Sequence, residues 1–183
     1  MKLLGISGSL RRDSYNSLLL DNVRELLADV VEVAVYEALK DVPPFDEDDE
    51  TEPPPAVAHL RDAIARADAI LFATPEYNSS IPGQLKNAID WASRPVATAP
   101  LRNKPVAVVG ASTGMFGGLW AQAELRKVLA RTGARVLDSE LAVPLAGTQF
   151  DEAGRLHDDD LRARLEELAT LLVAETAADR VAA

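Results

Sequence analysis

Short runs of apolar and β-branched residues alternate with amphipathic segments along almost the whole chain, and this alternation strongly restricts the possible folds. The apolar runs predict five strands, at Leu3–Ser7, Val30–Tyr36, Ala69–Thr74, Pro105–Ala111 and within Ala134–Leu141. The remaining periodic segments predict five helices, at Asn16–Leu27, Ala56–Ala67, Pro82–Ser93, Leu119–Arg131 and Asp159–Ala177. Strands that alternate with helices are typical of a parallel sheet covered on both faces. We therefore expect one α/β domain over residues 1–183.

Three of the loops that follow strands have unusual sequences, and they suggest the order of the strands. These loops are residues 8–17, 74–83 and 110–118, after the first, third and fourth strands. In the flavodoxin-like order 2-1-3-4-5, these three loops meet at the carboxyl edge of the sheet. We therefore predict a flavodoxin-like, three-layer α/β/α sandwich with a five-stranded parallel sheet in that order.

The first loop has the composition of a phosphate site. Hydrogen bonds to one phosphate can come from the Ser9, Ser14 and Ser17 hydroxyls, the Asn16 amide and the Arg11 guanidinium. The N-terminus of the following helix adds backbone N–H groups and a favourable dipole. A tight turn without a ligand is the alternative interpretation. The loop lacks the Gly-Lys-Ser/Thr ending of a P-loop and the complete Gly-x-Gly-x-x-Gly dinucleotide motif.

The second and third loops are suited to a flat ligand. Residues 74–83 are polar and aromatic and contain two prolines, so they can present rigid backbone groups to the edge of a heterocycle. Residues 110–118 contain four glycines and two hydroxyl residues, which allow close approach of the backbone. The alternatives are a stiff turn before the helix at Pro82 and simple conformational freedom in the glycine-rich segment.

Composition excludes several classes of site. The chain has no cysteine, so disulfides, thiolate nucleophiles and cysteine-based metal sites are ruled out. Its two histidines, His59 and His157, lack ligand spacing, and we expect both to be at the surface and no metal to bind. The net charge of −10 argues against binding to nucleic acid. No apolar run suits a membrane span or a signal peptide, so we expect a cytoplasmic protein.

Three sequence blocks together resemble the NAD(P)H-dependent FMN reductases, a flavodoxin-like family that includes quinone, chromate and azo-dye reductases. The blocks are Gly-Ser-Leu-Arg-x-x-Ser-x-Asn at residues 8–16, Thr-Pro-Glu-Tyr-Asn-x-Ser-x-Pro-Gly-x-Leu-Lys-Asn-Ala-Ile-Asp-Trp at 74–91, and Ser-Thr-Gly at 112–114. The resemblance extends from the first strand to at least the fourth. Beyond about Leu141 only a final helix matches the family pattern.

The resemblance implies a cofactor site and a reaction. The FMN phosphate is expected at Ser9, Arg11, Ser14, Tyr15, Asn16 and Ser17, and the ring and ribityl chain at Pro75, Glu76, Tyr77, Asn78, Ser112, Thr113, Gly114 and Gly117. NADPH or NADH would reduce the flavin, which would then reduce quinones, flavins or similar acceptors by a ping-pong mechanism. No catalytic side chain is required, because hydride transfer occurs at the flavin N5.

The resemblance also implies a homodimer or homotetramer with the flavin near the interface. The candidate apolar contacts are Trp91, Met115, Phe116 and Trp120, which could equally lie in the core. Two rival functions differ from a reductase. One is a flavodoxin-type electron-transfer protein without NAD(P)H turnover, which the acidic composition fits. The other is a nicotinamide-nucleotide binder without flavin, in which Glu37 after the second strand would contact the ribose.

Overall fold

The computed structural model describes residues 1–182, with side chains described up to Thr176, and its centre is a parallel sheet. The strands are β1 (Lys2–Ser7), β2 (Glu32–Val35), β3 (Ala69–Ala73), β4 (Pro105–Ala111) and β5 (Arg135–Val143). Every neighbouring pair is parallel and the order is β2-β1-β3-β4-β5. The predicted flavodoxin-like order is therefore confirmed.

Five α-helices cover the two faces of the sheet. They are α1 (Tyr15–Leu26), α2 (Pro55–Arg66), α3 (Gly83–Ala92), α4 (Leu119–Arg131) and α5 (Asp159–Ala182). Short 3-10 helices occupy Ala38–Asp41, Glu47–Asp49, Val96–Thr98 and Ala146–Thr148. Among the helices described, none combines the length and the apolar run needed to cross a bilayer.

Two strands differ from their predicted bounds for identifiable reasons. The second strand starts later than predicted, because the N–H groups of Val30 and Val31 both donate to the Leu27 carbonyl in the turn after α1. The fifth strand runs further than predicted, to Val143, which pairs with Ala111 at the end of β4. This extension brings the end of β5 beside the third loop.

The sheet separates two apolar cores. Alternate side chains of the strands point to opposite faces, so Leu4 and Phe72 pack with α2, α3 and α4, whereas Leu3 and Leu71 pack with α1 and α5. The central strands β3 and β4 are buried along their whole length. A sheet buried on both faces is rigid, and it fixes the positions of the loops at its edges.

Backbone hydrogen bonds continue the sheet beyond the ends of its strands. The Gly8 N–H donates to the Ala73 carbonyl at 2.8 Å, and the Thr74 N–H donates to the Val109 carbonyl at 2.9 Å. The Ser112 N–H donates to the Val143 carbonyl at 3.1 Å. The first, second and third loops therefore start side by side at the carboxyl edge, as the strand order predicts.

Candidate functional site

The three loops enclose a cavity of about 330 Å³ at the carboxyl edge of the sheet. Its volume lies within the range of about 300–1,000 Å³ that is usual for small-molecule sites. The lining residues are Ser9, Arg11, Ser14, Tyr15, Asn16, Pro75, Glu76, Tyr77, Ala111, Ser112 and Thr113. Ten of the fourteen predicted site residues therefore line one cavity, whereas Ser17, Asn78, Gly114 and Gly117 lie outside its lining.

The serines of the first loop are arranged to donate hydrogen bonds. Ser14 is the N-cap of α1, and its hydroxyl oxygen accepts the N–H groups of Asn16 and Ser17 at 3.2 and 3.4 Å. The Ser9 hydroxyl oxygen similarly accepts the Arg11 N–H at 3.4 Å. A hydroxyl that accepts these bonds keeps its own proton as a donor. Both serines thus retain a donor for an anion beside the N-terminus of α1.

Arg11 supplies the positive charge of the cavity. Its guanidinium carbon lies 5.2 Å from the centre of the Tyr15 ring, in a cation–π contact. Tyr15 in turn stacks on Phe150, with ring centres 5.7 Å apart and planes 15° apart. Among the side chains that the structure describes, no carboxylate forms an ion pair with Arg11. The stack therefore supports a cation whose charge is available to a ligand.

Two other polar residues of the first loop, Asn16 and Ser17, use their side chains in hydrogen bonds within the protein. Asn16 is 3% exposed, and its amide exchanges two hydrogen bonds with the backbone of Ala111, at 3.0 and 2.9 Å. The Ser17 hydroxyl donates to the Ser7 hydroxyl oxygen at 3.2 Å and faces a neighbouring crevice. In this arrangement the Asn16 side chain joins the first loop to the end of β4.

The second loop is a tight turn that holds its own shape. Tyr77 and Ser80 exchange backbone hydrogen bonds at 3.0 and 3.1 Å. Between them, Asn78 and Ser79 have φ angles of 53° and 60°, in the left-handed region. Asn78 tolerates this conformation better than most residues and lies at the tip of the turn. The exposed ring of Tyr77 forms part of the cavity wall.

Glu76 connects the second loop to α4. Its Oε2 atom accepts the backbone N–H groups of Trp120 and Ala121 at 3.1 and 3.2 Å. The N-cap position of α4 is Gly118, which has no side chain to cap the helix. Glu76 therefore caps α4 from another loop, and its negative charge faces the positive end of the helix dipole. Sequence reasoning assigned Glu76 only to the cofactor.

The third loop is held by contacts to its neighbours. The Gly114 carbonyl accepts the Leu145 N–H at 3.0 Å, and the buried Gln122 amide donates to the Gly117 carbonyl at 3.3 Å. Gly117 has a φ of 59°, and a Cβ there would lie 2.7 Å from the Val143 nitrogen. The backbone of β5 thus requires glycine at this position, which shapes the loop without lining the cavity.

An exposed apolar rim lies on the third loop and the start of α4. We define it by Met115, Phe116 and Trp120, which are 76%, 56% and 49% exposed. The rings of Phe116 and Trp120 meet edge to face, with centres 4.8 Å apart. Trp91, predicted as either core or contact, lies in the core, and its indole N–H donates to the Pro43 carbonyl.

Three further arginines, Arg12, Arg94 and Arg126, are candidates for contact with the 2′-phosphate of NADPH, and they differ in their surroundings. Arg126 donates to the Ser139 carbonyl and pairs with Asp138, both at 2.7 Å. Arg94, two residues after the end of α3, has its Nε atom 3.9 Å from Glu50 Oε2. Arg12 is exposed on the first loop but lines neither the cavity nor the crevice beside it. None of the three faces the cavity.

Tyr36 and Lys104 have pKa values that depart clearly from the ordinary ones, and both residues lie outside the cavity. Burial raises the pKa of Tyr36, and the nearby Asp41 carboxylate adds to this effect. Burial lowers the pKa of Lys104, an effect that Asp68 partly opposes. Across the described part of the chain, no group of three His, Asp or Glu side chains is placed to hold a metal ion.

A parallel sheet in this order, with hydroxyl and guanidinium groups on the first loop and a cavity at the switch point, is typical of flavodoxin-like FMN-binding proteins. Residues 1–148 match the model of the NADPH-dependent FMN reductase family. The chain belongs to this family, so it is an oxidoreductase with FMN as cofactor and NAD(P)H as co-substrate.

Similar proteins share both the sequence and the fold. The chain is 44% identical, over 91% of its length, to an NAD(P)H-dependent FMN reductase of Pseudomonas aeruginosa, of which it covers 90%. It is 39% identical, over 84% of its length, to a quinone reductase of Pseudomonas putida, of which it covers 83%. The solved structure of the flavoenzyme FerB, an NAD(P)H:(acceptor) oxidoreductase of Paracoccus denitrificans, superimposes with a TM-score of 0.87 at 32% identity, with 96% of each chain covered.

The residues present fit FMN. The donor set at Ser9, Arg11 and Ser14 suits a phosphate, because it offers two hydroxyl protons and a guanidinium beside a helix N-terminus. The segments Pro75–Tyr77 and Ala111–Thr113 form two further walls of the cavity, against which a flat ring can lie.

Proposed function

We propose that the protein transfers electrons from NAD(P)H through FMN to quinones, free flavins or related acceptors, by a ping-pong mechanism. Bound FMN supplies the redox chemistry, since it accepts a hydride and returns electrons to an acceptor. The observation that carries the proposal is that one cavity is lined both by the Ser9, Arg11 and Ser14 donors and by the segments Pro75–Tyr77 and Ala111–Thr113. The protein acts as one domain over residues 1–183.

Each part of the cavity has a separate role in this proposal. Arg11, Ser9 and Ser14 bind the phosphate and thereby fix the position of the ring. Ser112 and Thr113 lie at the edge of the ring. The Ser112 N–H donates to the Val143 carbonyl, so the Thr113 N–H is the backbone donor that can stabilise developing negative charge, in the manner of an oxyanion hole. Hydride transfer at the flavin needs no side-chain acid or base. One open face of the ring can serve NAD(P)H and the acceptor in turn, which is why the mechanism is ping-pong.

The acceptor class is inferred from the relatives. The similar protein of Pseudomonas putida is named a quinone reductase, and FerB is described as acting on an unspecified acceptor. A reduced ring with one open face can donate to several oxidants, which favours a broad acceptor range. An electron-transfer protein without NAD(P)H turnover is the alternative, supported by the net charge of −10.

We further propose a cytoplasmic homodimer or homotetramer. The exposed rim of Met115, Phe116 and Trp120 is apolar and adjoins the cavity, and such surfaces favour contact with another chain. Size-exclusion chromatography with light scattering tests the assembly. A monomer at micromolar concentration would contradict it.

Anaerobic reduction of the purified protein tests the reaction. We expect a yellow protein whose flavin absorbance falls on addition of NADPH or NADH and recovers when a quinone is added later. Steady-state rates with both substrates varied should give parallel double-reciprocal lines. A flavin that NAD(P)H does not reduce would support the electron-transfer alternative, and a protein that does not bind FMN would contradict both.

A further inference from the structure

A second crevice lies on the other side of the first loop, between the ends of β1 and β2. Its volume is about 490 Å³, larger than the cavity described above. The two share Ser9 and Arg11, so only the first loop separates them. The remaining walls are Ser7, Leu10, Ser17, Asp21, Arg24, Val35, Tyr36, Glu37, Leu39 and Lys40. FMN, as placed in the cavity above, does not fill this crevice.

The charges in the crevice favour a phosphorylated ligand. Three cations line it, Arg11, Arg24 and Lys40, against the two acids Asp21 and Glu37. Arg24 is paired with Asp21 at 2.6 Å, whereas Lys40 is exposed and has no ion-pair partner among the described side chains. Because Arg11 is assigned to the FMN phosphate and Arg24 is paired with Asp21, Lys40 is the cation left for a ligand in this crevice. The unpaired cation at the mouth is therefore a candidate phosphate contact.

Other lining residues suit a nucleoside. Glu37 directly follows Tyr36 just beyond the end of β2, and its side chain is exposed and does not cap the 3-10 helix that follows it. An acid at this place in doubly wound folds accepts hydrogen bonds from ribose hydroxyls. Leu10, at the tip of the first loop, is 46% exposed and offers an apolar surface to a base.

We propose that this crevice binds the adenosine end of the reduced nicotinamide dinucleotide. The inference rests on the proposed function, because it places the co-substrate NAD(P)H across both the flavin cavity and this crevice. The nicotinamide would lie in the flavin cavity, the pyrophosphate would cross the first loop on its outer side, away from the FMN phosphate, and the adenosine would enter the crevice. Lys40 then favours a 2′-phosphate, whereas Glu37 favours a free 2′-hydroxyl and opposes the phosphate.

Two opposite substitutions test the assignment. In Lys40→Ala we expect the KM for NADPH to rise about fivefold, a modest change because an exposed ion pair is weak, with little change for NADH. In Glu37→Gln we expect the KM for NADPH to fall about threefold, because a repulsive charge is removed. The matched controls are Lys127→Ala and Glu152→Gln, which change exposed side chains outside both spaces and should leave both KM values unchanged.

Binding without turnover provides a second readout. Calorimetric titration of the FMN-loaded protein with adenosine 2′,5′-bisphosphate should show binding that weakens about fivefold in Lys40→Ala and strengthens in Glu37→Gln. FMN affinity, measured by fluorescence, should be the same in both variants and in the parent protein. These measurements do not depend on hydride transfer.

The outcomes separate this inference from the proposed function. If the parent protein oxidises NAD(P)H but neither substitution alters nucleotide preference or bisphosphate binding, the crevice assignment is wrong and the proposed function stands. If Lys127→Ala changes the KM for NADPH as much as Lys40→Ala does, the effect is one of overall charge and the assignment is also wrong. A protein that binds the bisphosphate in this crevice but does not oxidise NAD(P)H would contradict the function alone.

Discussion

The first loop and the third loop border the same cavity, but they are built in different ways. In the first loop, Ser9 and Ser14 keep hydroxyl protons free and Arg11 keeps an unpaired charge. In the third loop, Gly114 and Gly117 are tied to neighbouring elements through their backbone carbonyls. Both lie at the carboxyl edge of one rigid sheet.

This difference separates two tasks that a cofactor site must perform. A phosphate is recognised by charge and by donors, which side chains supply and which a mutation can remove singly. A flat ring is recognised by shape, which the backbone supplies and which depends on contacts outside the cavity. We therefore expect substitutions in the first loop to change mainly FMN affinity, and those around the third loop to change mainly stability.

Gly117→Ala should have the largest effect on stability. The new Cβ would lie 2.7 Å from the Val143 nitrogen, and the φ of 59° is strained for alanine. We expect the free energy of unfolding to fall by about 3 kcal/mol, measured by urea denaturation. Gly114→Ala is the matched control, because its Cβ would meet only the Ser112 hydroxyl at 3.5 Å. Equal losses in the two variants would contradict the shaping role of Gly117.

Arg11→Ala should have the largest effect on cofactor binding. A charge-assisted hydrogen bond contributes about 1.5–3 kcal/mol, so FMN affinity should fall about 10- to 100-fold. Fluorescence titration of the flavin-free protein measures this change, and the free energy of unfolding without FMN should stay nearly the same. Arg12→Ala, one position along the loop and outside the cavity lining, should leave the affinity unchanged. Unchanged affinity in Arg11→Ala would remove Arg11 from the phosphate site.

Glu76→Ala tests the connection between the second loop and α4. Loss of a helix cap costs about 1–2 kcal/mol of stability, and a smaller loss is expected in Glu76→Gln, which keeps an acceptor but not the charge. Thermal denaturation with and without FMN measures both variants. Lys127→Ala, which removes an exposed charged side chain from the same helix, serves as the control. If Glu76→Ala weakens FMN binding without any loss of stability, its carboxylate contacts the cofactor and does not act mainly as a cap.

The sequence predicts the sheet order and the meeting of three loops because both depend on local patterns. Periodicity marks the strands, and parallel connectivity then brings their carboxyl ends together. The roles of Asn16, Glu76 and Phe150 depend on contacts with Ala111, Trp120 and Tyr15, which are far away in the sequence. Such pairings follow from the packed structure, so residue type alone does not reveal them.

Phe150 is such a residue, and it gives the smallest and most specific prediction. It stacks on Tyr15, which in turn contacts the Arg11 guanidinium, so it is linked to Arg11 without lining the cavity. An aromatic pair contributes about 0.5–1.5 kcal/mol beyond its burial. Because this stacking energy helps to hold Tyr15 and Arg11 in position, Phe150→Leu should weaken FMN binding about threefold.

Tyr15→Phe is the matched variant for this stack, because it keeps the ring and removes only the hydroxyl. We expect its FMN affinity to stay close to that of the parent protein, whereas Tyr15→Leu should resemble Phe150→Leu. In the double variant Arg11→Ala with Phe150→Leu, the second substitution should have no further effect, since the cation that it positions is absent. Additive losses in that double variant would show that Phe150 acts on the cofactor site independently of Arg11.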